Sequence, residues 1–264
     1  MTKKRLLIIF CILILIVAIV VLNSTVFTLQ KANVVFVTYD ADTKATLYVD
    51  APEKYAKLSS EKLIQKFKGK NLLFLSESEL VDAISLEYPD LQVIAAKRIF
   101  PDCMDIYLTQ REPVAYFEKD GYYYLVDSNM YVLERSSSAI YGENYVYLDV
   151  SQYLTANQVI GTRTSFVDSD EKAFILSETF SAIWRTKYEN VEMHNFVEKI
   201  GFSAYNGVDN VVMQTKTGAN IWIVNPKLEG DDVFEKVKAG VSIYSSNANG
   251  KDNTVSGVEI NRPY

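Results

Sequence analysis

The chain has 264 residues, 48% of them hydrophobic, with 18 tyrosines and 13 phenylalanines, which is enough apolar mass for one or two packed cores without covalent staples. A net charge of -6, with no basic run beyond residues 3–5, excludes a nucleic-acid partner, which would need a basic face, and speaks against anionic lipid headgroups outside that tip. Cys11 in an apolar run and Cys103 far beyond it are the two cysteines, so this is no disulfide scaffold.

Residues 6–22 read LLIIFCILILIVAIVVL and follow directly on Lys3, Lys4 and Arg5. A run apolar on every side predicts a transmembrane helix over residues 6–27, about 33 Å long against a hydrocarbon core of about 30 Å. A cleaved signal peptide is the competing reading. The run exceeds an h-region, and Asn23-Ser24-Thr25-Val26-Phe27 offers no A-x-A-like step, so a retained anchor is expected. The basic tip, residues 1–5, then lies in the cytoplasm and the remainder is extracytoplasmic, a single-pass arrangement in the cell membrane.

After the run, Val34–Tyr39 and Ala45–Val49 predict two short strands rich in Val, Thr and Tyr, with a turn at Asp40-Ala41-Asp42. Ser59 is placed to cap a first helix carrying Leu63, Ile64 and Phe67, with Leu58 and Leu63 as a hydrophobic staple and Gly69 as its stop. Ser76 and Glu79 have the spacing of a capping box, Leu75 and Leu80 that of a staple, and Pro89 ends the second helix. Leu91–Ile99 predicts a strand, followed by a turn at Phe100-Pro101-Asp102. In the next strand Met104, Ile106 and Leu108 alternate with Asp105, Tyr107 and Thr109. Residues 33–112 thus read β-α-α-β-β, two helices on one face of a small sheet.

From Pro113 a tyrosine-rich meander is expected, with strands at 114–118, 122–126, 131–134 and 145–148. A helix over about 171–187 carries Ala173, Leu176, Phe180, Ile183 and Trp184 on one stripe, with Asp168 as its cap. Strands near Ile200, at Asn210–Thr215 and at Ala219–Val224, a helix over about 231–245 and a final strand over 254–260 complete the chain. The fold class expected is α+β: a single N-terminal transmembrane helix, the β-α-α-β-β domain, then a mixed, mostly antiparallel β domain with two helices over residues 113–264.

Several stretches, taken in order, resemble the FtsQ/DivIB family of bacterial cell division proteins. Gly69-Lys70-Asn71-Leu72-Leu73-Phe74-Leu75 is similar to its G-x-N loop between the helices. Tyr88-Pro89 with Lys97-Arg98-Ile99-Phe100-Pro101-Asp102 is similar to its R-x-[FW]-P hairpin. Gln110-Arg111-Glu112-Pro113-Val114-Ala115 resembles its E-R-x-P-V-A junction, with Gln110 in place of Glu. Gly121-Tyr122-Tyr123-Tyr124-Leu125-Val126-Asp127 resembles its second-domain hairpin, and Gly257-Val258-Glu259-Ile260-Asn261-Arg262 its late strand. The strand pair from Val34 to Val49 is longer than the family's single first strand. The resemblance implies a POTRA domain at 33–112. It also implies a non-catalytic divisome scaffold, acting with FtsL-like and FtsB/DivIC-like membrane partners in septal peptidoglycan synthesis at the division septum.

No catalytic, cofactor-binding or metal-binding residue is expected. His194 is the one histidine, and no Cys/His spacing fits zinc. Ser59-Ser60-Glu61-Lys62 and Lys216-Thr217-Gly218 spell two of the strings of penicillin-binding acyltransferases. Ser59 as a helix cap and Thr217-Gly218 as turn residues explain both more simply. An exported adhesin or wall-binding module is the other alternative. Partner binding is expected at the last strand, Thr254, Val255, Ser256, Gly257, Val258, Glu259 and Ile260, as a sheet edge open to an added strand. An interior strand whose Val255, Val258 and Ile260 fill the core is the competing reading.

Overall fold

The computed structural model describes residues 10–17, 21, 26–40, 45–139, 145–167, 171–185, 187–188, 191–205, 208–226 and 233–247. These fall into two compact units, residues 1–110 and 111–264.

The expected transmembrane helix over residues 6–27 is not supported: among the described residues, no helix is long and apolar enough to cross a membrane. The far end of the expected span belongs instead to the first unit. The Phe27 carbonyl accepts from the Leu72 N–H at 2.7 Å, and Thr28 forms an antiparallel bridge with Asn71. Lateral pairing of this kind replaces the i to i−4 bonds a continuing helix would need.

In the first unit, β1 (Lys31–Asp40) and β2 (Ala45–Val49) are followed by a short helix α1 (Ser60–Leu63), then α2 (Glu77–Glu87), β3 (Leu91–Ile99) and β4 (Cys103–Gln110). The sheet order is β2-β1-β4-β3, with β1 parallel to β4 and the other pairs antiparallel. Met104, Ile106 and Leu108 turn to one core with Leu63, Ile64, Leu80 and Ile84 from the helical side. Alternation alone sets this register, since a one-residue slip would expose the whole apolar set. Ser59 caps α1, its side chain accepting from the Lys62 N–H. Ser76 starts α2 as expected, but the capping box does not form. The Ser76 hydroxyl bonds that of Ser78, and Glu79 reaches Lys70 at 2.5 Å. Leu75 and Leu80 are both buried, so the apolar contact holds this helix start.

The second unit runs β5 (Ala115–Lys119), β6 (Tyr122–Val126), β7 (Val132–Ser136), β8 (Val146–Asp149), α3 (Glu171–Arg185), the two-residue strands β9 (Lys187–Tyr188) and β10 (Val191–Glu192), β11 (Val197–Tyr205), β12 (Val208–Thr215), β13 (Asn220–Ile223) and α4 (Val233–Asn247). Strands β5 to β7 form the expected meander, but β8 leaves it. It lies between β5 and β11, parallel to both, in a sheet ordered β13-β12-β11-β8-β5-β6-β7. Such parallel neighbours require a crossover, which strand periodicity does not announce. Gly201 of β11 permits this approach: a Cβ there would lie 3.1 Å from the Asp149 carbonyl oxygen of β8. Alternate residues of the strands, among them Ala115, Phe117, Leu148, Ile200 and Met213, pack with Leu176, Phe180, Val237 and Val241 of the helices in one core. The buried face of α3 is wider than the expected stripe, taking in Lys172, Ile175, Thr179 and Ala182. Asp168, the expected cap, and the final strand lie outside the described residues.

Candidate binding site on the second sheet

Strand alternation gives the second sheet two chemically different faces. Inward residues are mainly aliphatic or phenyl, joined by Tyr124 and Thr215; the outward residues of the central strands are Tyr116 (β5), Tyr147 (β8), Lys199 (β11) and Gln214 (β12). Together with Tyr145, Val197, Glu198 and Lys216 they line an open groove of about 610 Å³. Tyr116 and Tyr147 are partner residues in the parallel β5–β8 ladder, and their ring centroids lie 5.3 Å apart. Lys199 pairs with Asp149 at 2.6 Å and stands 5.9 Å from the centre of the Tyr147 ring. Burial, and then the charges of Asp149 and Glu118, push the Tyr147 phenol above its usual value, so it remains a hydroxyl donor at neutral pH. The groove offers aromatic surface, ammonium groups and a carboxamide, a set suited to holding a ligand. Proton transfer near neutrality would need a base tuned to that range. In sequence these residues were legible only as the outward half of each strand, because the order of β8 was not.

A buried ion pair begins this unit. Arg111, just before β5, donates to Asp127 at the end of β6 at 2.5 Å, and the two side chains are 2% and 5% exposed. The second carboxylate oxygen of Asp127 accepts from the N–H groups of Asn129 and Tyr131, closing the turn into β7. The guanidinium stacks 3.9 Å from the Tyr131 ring centre. Burial pushes the Asp127 carboxyl up; Arg111 and the two backbone donors oppose that without overcoming it. In the first unit, Arg98 similarly donates to the Leu75 carbonyl at 2.7 Å, joining the 97–102 hairpin to the 69–75 loop. Asn71 accepts from the Leu73 N–H within that loop, and Gly69 supplies a φ of 84° at its start.

The residues weighed for catalysis are otherwise engaged. Ser59 is a helix cap, and Gly218, at φ 85°, turns the chain between β12 and β13. The expected Ser59 and Lys216-Thr217-Gly218 strings sit in different units. His194 is half-buried and stacked on Trp184, with ring centroids 4.3 Å apart. Among the described residues, no group of three or more His, Cys, Asp or Glu side chains is placed to hold a metal. Of the tyrosine triplet, Tyr124 is buried against Phe117 and Tyr122 carries Arg135 over its ring at 4.6 Å. The expected partner residues Thr254, Val255, Ser256, Gly257, Val258, Glu259 and Ile260 lie outside the described residues; among those described, β13 and β7 are the two edges of the sheet.

The protein families and the curated proteins contain no match to this chain. Among solved structures, the major extracytoplasmic domain of the trans isomer of the cell division protein DivIB from Geobacillus stearothermophilus aligns with it at 10% identity and a TM-score of 0.29, over 53% of this chain and 96% of that one. Similarity at that level carries no inference about what this chain does.

Proposed function

We propose that the chain is a non-catalytic binding protein of bacterial cell division, akin to the FtsQ/DivIB family. One observation carries the reading. The stretches that resemble the family are tied to each other in pairs, the 69–75 loop to the 97–102 hairpin through Arg98, and the 110–115 junction to the 121–127 hairpin through the buried Arg111–Asp127 pair. Residues scattered in sequence that converge on shared contacts act as one structural signature, which chance matches would not do.

On this reading the first unit is a POTRA-like module and the second a docking domain for partners resembling FtsL and FtsB or DivIC, during septal peptidoglycan synthesis. The segment Thr254–Ile260, expected from the sequence as a strand, is the proposed partner edge, where a glycine at position 257 would let a second backbone approach. A functional fluorescent fusion is expected as a band at midcell in dividing cells; an even signal through the cell cycle would remove the division role. Glu259→Pro deletes a backbone donor and is expected to abolish co-purification of the FtsB-like partner with the melting temperature unchanged within a few degrees. If every proline along Val255–Asn261 either unfolds the protein or leaves binding intact, the edge is elsewhere.

A further inference from the structure

One end of the first sheet is built from three separate stretches, and each leaves apolar side chains in solvent. β1 begins at Lys31, β3 ends at Ile99 and β4 begins at Cys103, and the ladders set Lys31 and Ile99 both opposite Cys103. Residues 26–31 and 97–102 therefore meet there. The Gln30 and Lys31 N–H groups both donate to the Asp102 carbonyl, and the rings of Phe27 and Phe100 meet edge to face with centroids 5.8 Å apart. The 69–75 loop joins them: the Leu72 N–H donates to the Phe27 carbonyl, the Gly69 N–H to the Leu29 carbonyl, and Arg98 to the Leu75 carbonyl. On this tip Val26, Leu73, Phe74, Ile99 and Phe100 are 41%, 39%, 81%, 44% and 52% exposed. Leu72 and Leu75 are buried, so the loop is held from inside while Leu73 and Phe74 face water. Apolar residues gathered in this way mark a contact surface.

Two observations say what covers it. The first is charge. The whole chain carries 27 Lys and Arg against 33 Asp and Glu, whereas these three stretches carry Lys31, Lys70, Lys97 and Arg98 against Asp102 alone. Lys70 is shared with Glu79, but the local excess stays positive. Cations beside exposed aromatic and aliphatic side chains match a phosphate layer above an acyl phase. The second is the chain that precedes the tip. Helical residues 10–17 are apolar throughout, and Phe10 and residues 12–17 are each more than half exposed. The nine residues from there to Val26 reach at most about 32 Å, so both apolar sets must find cover within that distance. A groove on a partner protein covers one side of such a helical stretch; lipid covers every side.

We propose that this tip inserts into the headgroup–acyl boundary of a phospholipid bilayer, with Phe74 and Phe100 as anchors and the four cations at the level of the phosphates. The contact is a surface one and requires no membrane-spanning helix. It is independent of the division reading and of the groove on the second sheet.

The test uses the full chain with Cys11→Ser and Cys103→Ser, reconstituted with phosphatidylcholine vesicles and carrying a nitrobenzoxadiazole label on one introduced cysteine. Co-flotation is not the readout, because residues 10–17 would carry any variant to lipid. Labels at Phe74→Cys and Ile99→Cys are expected to shift to the blue with lipid and to be quenched by lipids spin-labelled near the headgroup. A label at Tyr48→Cys is expected to do neither: Tyr48 is 75% exposed but pairs with Val37, about 20 Å along β1 from Lys31. Phe74→Asp, at an exposed position where circular dichroism checks that the fold is kept, is expected to reduce the quenching at position 99 severalfold while the chain still floats with the vesicles. Absence of quenching at 74 and 99, equal quenching at 48 and 74, or quenching at 99 indifferent to Phe74→Asp would each overturn the proposal. So would a blue shift at 74 that follows protein concentration without lipid, the mark of a second copy on the tip.

Discussion

Each unit contains a carboxylate that gathers a cation and a tyrosine, and the two behave oppositely. In the second unit Asp127 and Arg111 are sealed from water, and burial, the largest influence, leaves the carboxyl above its usual value. In the first unit Asp90 takes Lys54 at 2.7 Å and the Tyr55 hydroxyl, with Lys54 67% and Asp90 22% exposed. There too burial pushes upward, but the bonds from Lys54 and Tyr55, with a backbone hydrogen bond and the Lys54 charge, outweigh it and hold the Asp90 carboxyl below its ordinary value. The Tyr55 phenol is correspondingly pushed up, first by burial and then by the Asp90 bond and charge. A guanidinium and a carboxylate thus form a sealed joint in one unit, and an ammonium, a phenol and a carboxylate a more solvated clasp in the other, with water access the main difference between them.

The comparison breaks most readily at Arg111. Arg111→Ala strands a buried carboxylate and is expected to cost the second unit about 3–5 kcal/mol. Both tryptophans, Trp184 and Trp222, lie in that unit, so their fluorescence in a urea titration reads this loss directly. A loss under 1 kcal/mol would mean that the pair is not sealed. Next in size, Gly201→Ala drives a methyl group against the Asp149 backbone in the parallel ladder and is expected to cost about 1–3 kcal/mol in the same titration.

In the first unit the effects are smaller. Tyr55→Phe removes one hydrogen bond to Asp90 and is expected to cost about 1 kcal/mol, read by hydrogen exchange of the β3 and β4 amides. The pH dependence separates the two carboxylates. Asp90, lowered in the folded state, contributes stability that is present above the ordinary aspartate value of about 3.9 and lost as pH falls through its folded value. Asp127, raised in the folded state, contributes in the opposite sense, with its share fully present below about 3.9 and lost as pH rises through its folded value. Asp90→Asn is therefore expected to flatten the acid-side loss of the first unit and leave the tryptophan-monitored profile of the second unchanged. The smallest effect belongs to Lys54→Ala, below about 1 kcal/mol, because the ammonium is already in water.

Much of the first unit was readable from local signals. The bounds of β2 and β3, the cap at Ser59, the start at Ser76 and the alternation of Met104, Ile106 and Leu108 all follow from residues within a few positions of each other. The apolar run at residues 6–22 misled for a related reason. Hydropathy measures what a segment avoids, and it predicted a span through Phe27, whereas Phe27 and Thr28 are held by Leu72 and Asn71. The segment after β8 gave no usable period at all. It is organised by Gln158, whose carboxamide bonds Thr155 and Ser165, and by the pairing of residues 161–164 with Met130–Val132.

What the sequence by itself determined is part of the inventory: for most segments between residues 31 and 247, whether they are strands or helices, and which side of each is apolar. These depend on period and on near neighbours, and the chain states them directly. What only the tertiary structure decided is adjacency. That β8 lies between β5 and β11, that Tyr116 and Tyr147 therefore share a groove, and that Arg111 reaches Asp127 all depend on pairings between distant segments. A strand's alternation is satisfied by any partner that buries the same face, so the choice among partners falls to the packing of the whole sheet and its helices.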